Sequence, residues 1–210
     1  MPLQLTFQEI YKPEAGVDEA GRGCLAGPVF AAAVILPPNP SEELLLYLND
    51  SKKLTANRRD VLRRQIEHES LAWAVARAEH HEIDEINILN ASYLAMHRAI
   101  EKLNLKPGML LIDGNRFKPF DGIRHTCVVK GDGLYYAIAA ASVLAKTWRD
   151  EFMLSINQEF PQYYWNENKG YPTQKHKQAI AEVGFSPYHR RSFNCGIQMK
   201  MEFSKSEAGS

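Results

Sequence analysis

The chain has 210 residues, of which 45% are hydrophobic and 24% are charged. These proportions are typical of globular proteins, so they exclude the disordered and fibrous classes, and the length predicts one domain rather than two. Lysine plus arginine and aspartate plus glutamate both number 25, which gives a formal net charge of zero. A globally basic protein is thereby excluded, and a polyanion would have to bind to a local patch.

The cysteines and the N-terminal residues predict a cytoplasmic protein. Cys24, Cys127 and Cys195 lack the spacing of a disulfide framework or a zinc site. The N-terminus has no basic segment leading into an apolar core, so no signal peptide is predicted. The longest apolar stretches fall well short of the roughly 20 residues that span a bilayer. We therefore expect a reducing compartment and no membrane association.

The first half of the chain is predicted to contain strands and helices in alternation. The apolar run 29–36 predicts a strand that forms a hairpin with the strand containing Asp18. Ser41 is expected to be the N-cap of a short helix that ends near Leu48. The segments that follow are predicted, in order, to be a polar loop over 49–55, a helix over 56–69, a strand over 71–78, and a loop or short helical turn over 80–87.

The second half contains the most apolar strand and the longest helix. The run 109–112 is bounded by breakers, which is typical of a central strand buried on both faces. The small residues 139–141 predict a helix in close contact with the sheet. The other predicted elements are a helix over 90–103, a strand over 126–129, and a helix over 173–183 that ends at Gly184. Together these elements predict an α/β fold with a mixed sheet and helices on its faces.

The stretch from Gly16 to Val29 carries the strongest chemical signal. Asp18 and Glu19 are adjacent and precede a turn that contains Gly21, Arg22 and Gly23. Desolvating two carboxylates is costly unless a partner such as a metal ion offsets the cost. Glycines allow a tight turn and leave N–H groups free to approach a ligand. This combination indicates a metal and a phosphate-bearing partner.

Two further acids lie at the ends of predicted elements. Asp113 follows a buried strand, where ligands of α/β sheets collect, although an aspartate before Gly114 is also common turn chemistry. Asp132 precedes the long helix and has an alternative role as its N-cap. Four acids in such positions favour a site for hard divalent cations such as Mg²⁺ or Mn²⁺.

Other motifs have competing interpretations. The glycines at 21, 23 and 27 could be read as a dinucleotide-binding fingerprint. That fingerprint opens a helix, whereas these glycines lead into a strand, so this interpretation is disfavoured. The aromatic and basic segment from Tyr163 to Lys177 is the best local candidate for binding nucleic acid, because tyrosines stack and lysines contact phosphates. Tyr163, Tyr164 and Trp165 could instead be core residues. The basic residues that are either phosphate contacts or ordinary surface charges are Lys52, Lys53, Lys146 and Arg149.

Six motifs, taken in order, resemble those of bacterial ribonuclease HII, the type 2 ribonucleases H. They are Gly16-Val-Asp-Glu-Ala-Gly-Arg-Gly, Asp50-Ser-Lys-Lys-Leu-Thr, Ile112-Asp-Gly, Lys130-Gly-Asp with Ala139-Ala-Ala-Ser-Val-Leu-Ala-Lys and Arg149-Asp150, Lys169-Gly-Tyr-Pro-Thr with His176, and Ser186-Pro-x-His-Arg-x-Ser-Phe193. One departure is Cys24, where that family often has proline. The resemblance implies a ribonuclease H-like fold with a helical C-terminal portion. We expect a single domain over 1–203, and the small polar residues 204–210 predict a disordered tail.

The resemblance also implies the reaction and the site. The family hydrolyses the RNA strand of RNA–DNA hybrids and cuts on the 5′ side of single ribonucleotides in duplex DNA. Asp18, Glu19, Asp113 and Asp132 would hold two divalent ions about 4 Å apart, one activating water and the other stabilising the leaving 3′ oxygen. The residues implied to bind substrate include Gly21, Arg22 and Gly23 at the ribose 2′-hydroxyl and Tyr171 at the RNA–DNA junction, with candidate contacts from Lys52, Lys146 and Lys169.

One structural expectation follows from the adjacent acids. Neighbouring residues of a regular strand point to opposite faces, so Asp18 and Glu19 cannot both face one site unless the strand ends or bulges at Glu19. We expect such an irregularity, which would let the Glu19 side chain or carbonyl reach the metal.

Two alternatives to the enzyme remain open at this stage. The first is a nucleic-acid-binding module on the same fold that has lost catalysis, although a pure binder gains nothing from carboxylates facing phosphates. The second is a nucleotide-cofactor enzyme built on the glycine turn. A monomer is expected. A sliding clamp is a conceivable partner, but no clear clamp-binding peptide is recognised at the C-terminus.

Overall fold

Five strands form one mixed sheet in the computed structural model, which describes residues 3–8, 10, 13–49 and 55–196. The strands are β1 (Glu14–Ala20), β2 (Val29–Ile35), β3 (Ala72–Ala78), β4 (Met109–Asp113) and β5 (Arg124–Val128). The helices are α1 (Glu42–Asn49), α2 (Ala56–Glu69), α3 (His80–Glu101), α4 (Tyr136–Asn157), α5 (Trp165–Asn168) and α6 (Gln174–Val183). The prediction of a mixed α/β sheet is confirmed.

The strand order is β3-β2-β1-β4-β5, which places β1 at the centre. β1 pairs with β2 antiparallel, as the predicted hairpin requires, and with β4 parallel. β4 lies between β1 and β5, and its first four residues are buried, as predicted for an interior strand. The carboxyl ends of β1, β4 and β5 therefore lie at the same edge of the sheet.

The two faces of β1 pack against different helices. Ala15 and Val17 lie in a core cluster with Ala91 and Ala95 of α3. On the other face, a Cβ atom at Gly16 would lie only 2.1 Å from the carbonyl carbon of Ala137. Helix α4 thus rests directly on the backbone of the central strand, which agrees with the contact predicted from its small residues.

The C-terminal portion attaches to both α4 and the connection between β1 and β2. Trp165 and Ile180 share a buried cluster with Met153 of α4 and with Leu25. The carboxylate of Asp84, at the start of α3, accepts hydrogen bonds from the backbone N–H groups of residues 191 and 192. This portion therefore completes the surroundings of the glycine turn.

Helix α3 begins earlier than the sequence predicts. A helix starts at His80, where a loop or short turn is predicted, and the carboxylate of Glu82 accepts from the N–H of Glu79 at 2.8 Å. Asn87 interrupts the helix with φ 65° and ψ 164°, and its side chain accepts hydrogen bonds from the N–H groups of Leu89 and Asn90. The polar break thus lies within a longer helix rather than before it. None of the helices in the described ranges has the length and apolar character needed to cross a bilayer.

Candidate active site

Asp18 and Asp113 lie at the carboxyl ends of two neighbouring parallel strands. Val17 pairs with Ile112, and the two aspartates are the next residue on each strand. Asp18 is only 6% exposed. Burial raises the pKa of Asp18 well above its ordinary value, the charges of Glu19 and Asp113 raise it further, and a hydrogen bond from Ser142 of α4 lowers it. The strand ends thus concentrate negative charge at one buried edge.

Asp132 is brought to the same edge by a hydrogen bond from its neighbour. The N–H of Gly131 donates to Asp113 Oδ1 at 2.6 Å, which holds the 3₁₀ turn Gly131–Gly133 beside the end of β4. The N-cap of α4 is Tyr135, so the interpretation of Asp132 as the N-cap of that helix is wrong. The side chain of Asp132 is half-buried within this turn.

The expected irregularity at Glu19 is wrong. β1 stays regular to its end, because Glu19 pairs with Ala31 and the next residue pairs with Phe30. Glu19 therefore leaves the strand on the face opposite to Asp18. One carboxylate oxygen, Oε1, accepts from Arg22 at 3.0 Å, while Oε2 is buried without a hydrogen-bond partner.

The pKa of Glu19 nevertheless depends on the charge of Asp113. Burial raises the pKa of this carboxyl, the Arg22 guanidinium lowers it, and the charge of Asp113 raises it. Although Glu19 lies on the other face, its carboxylate is thus close enough to Asp113 to interact with it. The three acids Asp18, Glu19 and Asp113 form one electrostatic group at the edge of the sheet.

The donor set has the chemistry that a hard divalent cation requires. In the described ranges, no three His, Cys, Asp or Glu side chains are arranged so that they could hold a metal ion. One oxygen of each carboxylate is directed to a protein donor, namely the N–H of Glu19 for Asp18, Arg22 for Glu19, and the N–H of Gly131 for Asp113. The mutual repulsion of these charges, together with the unpartnered buried oxygen of Glu19, is what a bound cation would relieve. The chemistry of these residues therefore fits such an ion, although their carboxylates do not converge on one point in the described part of the chain.

The glycine turn presents its tip to open space. Gly21 has φ +97°, and its carbonyl accepts from the N–H of Cys24 at 3.3 Å, which closes the turn. The side chain of Arg22 is 51% exposed. A Cβ atom at Gly23 would meet nothing within 4 Å. The turn can thus be approached by a ligand at Arg22 and Gly23.

Tyr171 lies beside the glycine turn, with two candidate lysines close to it. Its ring is 40% exposed and lies 5.9 Å from Lys146 Nζ, and its hydroxyl forms a hydrogen bond with the thiol of Cys24. Lys146 forms an ion pair with Asp150, and Lys169 Nζ donates to the carbonyl of Asn166. Burial lowers the pKa of Lys169, the nearby Asp150 raises it and Lys146 lowers it.

The predicted residues thus fall into two neighbouring groups. The first contains the four acids, and the second contains Tyr171 and the two lysines, with the glycine turn next to both. Lys52 and the neighbouring positions 50–54 lie outside the described residues.

Sequence reasoning missed two important residues on α4. The interpretation of Arg149 as a surface charge is wrong, because its side chain is fully buried. Ser142, which hydrogen-bonds Asp18, is not among the site residues that the sequence predicts. Ser142 lies three residues before the inward-facing Ala145 and Arg149 lies four residues after it. This helical spacing is the signal that predicts an inward position for both.

Part of the aromatic segment belongs to the core. Tyr163 and Trp165 are buried, as their core interpretation predicts, whereas Tyr164 is 43% exposed. Trp165 Nε1 donates to His176 Nε2 at 3.1 Å, and this nitrogen also lies 3.1 Å from His189 Nε2. These buried rings form the interior of the C-terminal portion.

Comparison with known proteins covers the whole of this site. The model of the family described as Ribonuclease HII matches residues 15–195. A protein named Ribonuclease HII from Phocaeicola vulgatus is 62% identical over 181 residues, covering 86% of this chain and 89% of the relative.

Solved structures show the same fold. The ribonuclease H2 of Pyrococcus horikoshii OT3 has a TM-score of 0.76 and 26% identity, covering 87% of this chain and 94% of that chain. The RNase HII of Archaeoglobus fulgidus, solved as a complex with PCNA, has a TM-score of 0.72 and 27% identity, covering 85% of this chain and 92% of that chain. The ribonuclease H-like fold expected from the motifs is confirmed, and the chain belongs to the ribonuclease HII family.

Proposed function

We propose that the chain is an endonuclease that hydrolyses the RNA strand of RNA–DNA hybrids and cuts on the 5′ side of a single ribonucleotide in duplex DNA. The observation that carries this proposal is the family match over residues 15–195, because it includes the acids, the glycine turn and Tyr171. Hydrolysis would break the bond between phosphorus and the 3′ oxygen, leaving a 5′-phosphate and a 3′-hydroxyl. Such ends suit the removal of ribonucleotides and RNA primers during DNA replication and repair.

Members of this family depend on divalent metal ions, and we propose Mg²⁺ or Mn²⁺ for this chain. Asp18, Asp113 and Asp132 would hold the ions through carboxylate oxygens, and Glu19 through its side chain or its backbone carbonyl. When bound, the metal supplies an activated water and stabilises the leaving oxygen. The buried setting of Asp18 strengthens its interaction with any cation, because little water screens the charge.

The glycine turn is the proposed reader of the ribose. Arg22 and Gly23 are exposed at the tip, and nothing in the described structure occupies the space beside Gly23. Peptide N–H groups there can donate to the 2′-hydroxyl, which is the group that distinguishes RNA from DNA. The half-exposed ring of Tyr171 can stack on the sugar of the adjoining nucleotide, next to the same turn. The two features together would select an RNA–DNA junction.

The two lysines are proposed phosphate contacts on the Tyr171 side of the site. Lys146 and Lys169 lie near that ring, and Lys169 carries its charge in a partly buried setting. Each would add to affinity without reading sequence, because phosphate contacts position the duplex. Lys52 is proposed in the same role from its motif alone.

A sliding clamp is the protein partner that we propose from the comparisons. The relative from Archaeoglobus fulgidus was solved in complex with PCNA. Retention of this chain on an immobilised bacterial clamp, with the clamp's binding groove blocked as the control, tests the partner independently of catalysis.

The deciding experiment is cleavage of an end-labelled DNA duplex that carries one ribonucleotide. Wild type and Asp18→Asn are compared with Mg²⁺ and with Mn²⁺, and an all-DNA duplex is the substrate control. We expect one cut on the 5′ side of the ribonucleotide by wild type only. If wild type binds the duplex, does not cut it with either metal, and binds equally well in EDTA, the chain is a binding module and the proposed activity is wrong.

A further inference from the structure

Two buried arginines lie beneath the glycine turn. Arg149 of α4 is 0% exposed, and Arg190 of the C-terminal portion is 1% exposed. Arg149 donates to the carbonyls of Pro28, Ala26 and Lys169 at 3.2, 3.1 and 2.8 Å. Arg190 donates to the carbonyls of Gly27, Arg22 and Gly21 at 2.9, 3.0 and 2.8 Å. The backbone from Gly21 to Pro28 is thus bound from the inside by two guanidinium groups.

The packing of Arg149 explains the glycine at position 21. A Cβ atom at Gly21 would lie 2.0 Å from Arg149 Nε, and this glycine also has a positive φ of +97°. A Cβ atom at Gly170 would lie 2.7 Å from the carbonyl oxygen of Ala26, which accepts a hydrogen bond from Arg149. Glycine at position 21 thus admits the arginine side chain, whereas Gly23 faces open space. The inner side of the turn is therefore shaped for the arginine and the outer side is free for a ligand.

The hydrogen bonds of Arg190 also determine where the N–H groups of the turn point. In a trans peptide the C=O and the following N–H point in opposite directions. Because the carbonyls of Gly21 and Arg22 point to Arg190, the N–H groups of Arg22 and Gly23 point away from it. These are the amide groups at the exposed tip. Arg149 binds the carbonyl of Lys169 and so ties the segment leading to Tyr171 to the same interior.

Burying two positive charges is costly, which argues that they serve more than packing. Burial lowers the pKa of Arg190 to about 9, and the charge of Arg149 contributes to the lowering. Neutral side chains of similar size would fill the same volume without this cost. A planar guanidinium, with five donors in a fixed fork, suits three carbonyls that converge from different peptides.

We propose that Arg149 and Arg190 are positioning residues for ribonucleotide recognition, which hold the turn so that the amides of Arg22 and Gly23 and the ring of Tyr171 face the substrate. This inference rests on the proposed function. It assigns to the two arginines the orientation of the groups that distinguish a ribose from a deoxyribose at the cleavage position. It gives them no contact with the substrate and no part in the chemical step.

The test uses charge-preserving variants that lose the planar donors, Arg190→Lys and Arg149→Lys. Arg98→Lys is the matched control, because Arg98 binds Glu82 through two nitrogens and the carbonyl of Arg77 but belongs to α3. Rates are measured below the unfolding temperature of each protein on two duplexes. One carries a single ribonucleotide, and the other carries a 2′-fluoro nucleotide at the same position. For the two lysine variants, we expect kcat on the ribonucleotide duplex to fall at least tenfold while KM changes little. The ratio of the rate on the ribonucleotide duplex to the rate on the 2′-fluoro duplex should fall about tenfold.

A second measurement separates positioning from folding. Arg190→Ala is assayed with and without millimolar guanidinium, which can occupy the vacated site, and recovery of kcat and of the 2′-hydroxyl preference is expected. The inference is overturned if the lysine variants keep the wild-type preference, or if Arg98→Lys narrows it equally. If an arginine variant does not fold, the other variant and the guanidinium rescue decide the matter. A wild type that does not cut the ribonucleotide duplex would instead refute the proposed function.

Discussion

Asp18 and Asp113 each follow the last paired residues of two adjacent parallel strands, Val17 and Ile112, and the charge of Asp113 is one cause of the raised pKa of Asp18. When folding raises the pKa of a carboxyl, the carboxyl keeps its proton to a higher pH in the folded state than in the unfolded state. Between the two pKa values the folded chain therefore binds more protons, and stability falls as pH rises through that window. Above its ordinary pKa, the Asp18 carboxyl thus lowers the stability of the metal-free fold, and substitutions at Asp18 separate function from stability.

Asp18→Asn is expected to stabilise the metal-free protein while abolishing cleavage. Removing a buried carboxyl whose ionisation is opposed by the charges of Glu19 and Asp113 should raise Tm in EDTA at pH 7.5 by a few degrees, because about 1 kcal/mol corresponds to roughly 2–4 °C in a protein of this size. Differential scanning calorimetry measures the change. A lower Tm for the variant would show that the hydrogen bonds of Asp18 outweigh the repulsion.

Metal binding should stabilise wild type more than this variant. A ligand that binds only the folded state raises Tm according to its concentration and affinity. Titrating Mg²⁺ or Mn²⁺ should raise the Tm of wild type progressively and that of Asp18→Asn much less. Ca²⁺ serves as a second hard cation for comparison. Equal shifts in the two proteins would mean that the ions bind elsewhere.

The buried histidine pair predicts a loss of stability in acid. The carbonyl of Tyr171 accepts from His176 Nδ1, and the N–H of Ser186 donates to His189 Nδ1, so His189 Nε2 carries the proton that it donates to His176 Nε2. Both rings are neutral in this arrangement. Burial lowers the pKa of His176, and it lowers that of His189 to about 3, with further lowering by the charges of His176 and Arg191.

Below the ordinary histidine pKa of about 6.5, these histidines bind protons in the unfolded chain but stay neutral in the folded chain. The stabilisation that wild type gains from this pair is complete above pH 6.5 and is lost as pH falls from about 6.5 towards 3. Between pH 7 and 4.5 a single such group accounts for about 2–3 kcal/mol. Urea unfolding of wild type and His189→Gln should show the stability difference between them shrinking by this amount. The exposed His68→Gln is the control, and a constant difference for His189→Gln would contradict the prediction.

Gly16→Ala is expected to destabilise the protein severely. The added Cβ atom would lie 2.1 Å from the backbone of Ala137, which is not the end of a flexible side chain, so α4 would have to shift. Forcing extra volume into a packed core costs about 1–3 kcal/mol and occasionally more. Gly133→Ala is the matched control, because its Cβ atom would meet nothing within 4 Å. Urea midpoints measure both changes, and similar values would show that α4 does not rest on β1 as described.

Tyr171→Ala should lower kcat/KM for the ribonucleotide duplex by about tenfold to a hundredfold, since aromatic stacking on a nucleotide contributes about 1–3 kcal/mol. Tyr171→Phe keeps the ring and loses only the hydroxyl that contacts Cys24, so it should retain most activity. Steady-state kinetics and mapping of the cut position measure both effects. If the phenylalanine variant is as impaired as the alanine variant, the hydroxyl rather than the ring carries the role.

The sequence by itself determined the local elements and the chemical class of the site. Helix α2 has the predicted bounds, and Thr55 caps it by accepting from the N–H of Arg58, because capping and periodicity are local properties. The strand before Asp113 was recognisable because its apolar run ends at breakers. The acids, the glycine turn and the later motifs predict the family from the sequence alone.

Tertiary structure alone decided the features that depend on distant partners. The regular pairing of Glu19 with Ala31 is decided by the neighbouring strand, and the burial of Arg149 by carbonyls that are 121 and 123 residues away along the chain. A charged residue on a helix is usually solvated, so its sequence pattern does not reveal such partners. The inward side of the glycine turn is likewise shaped by α4 and the C-terminal portion, whose contacts arise only when the chain is folded.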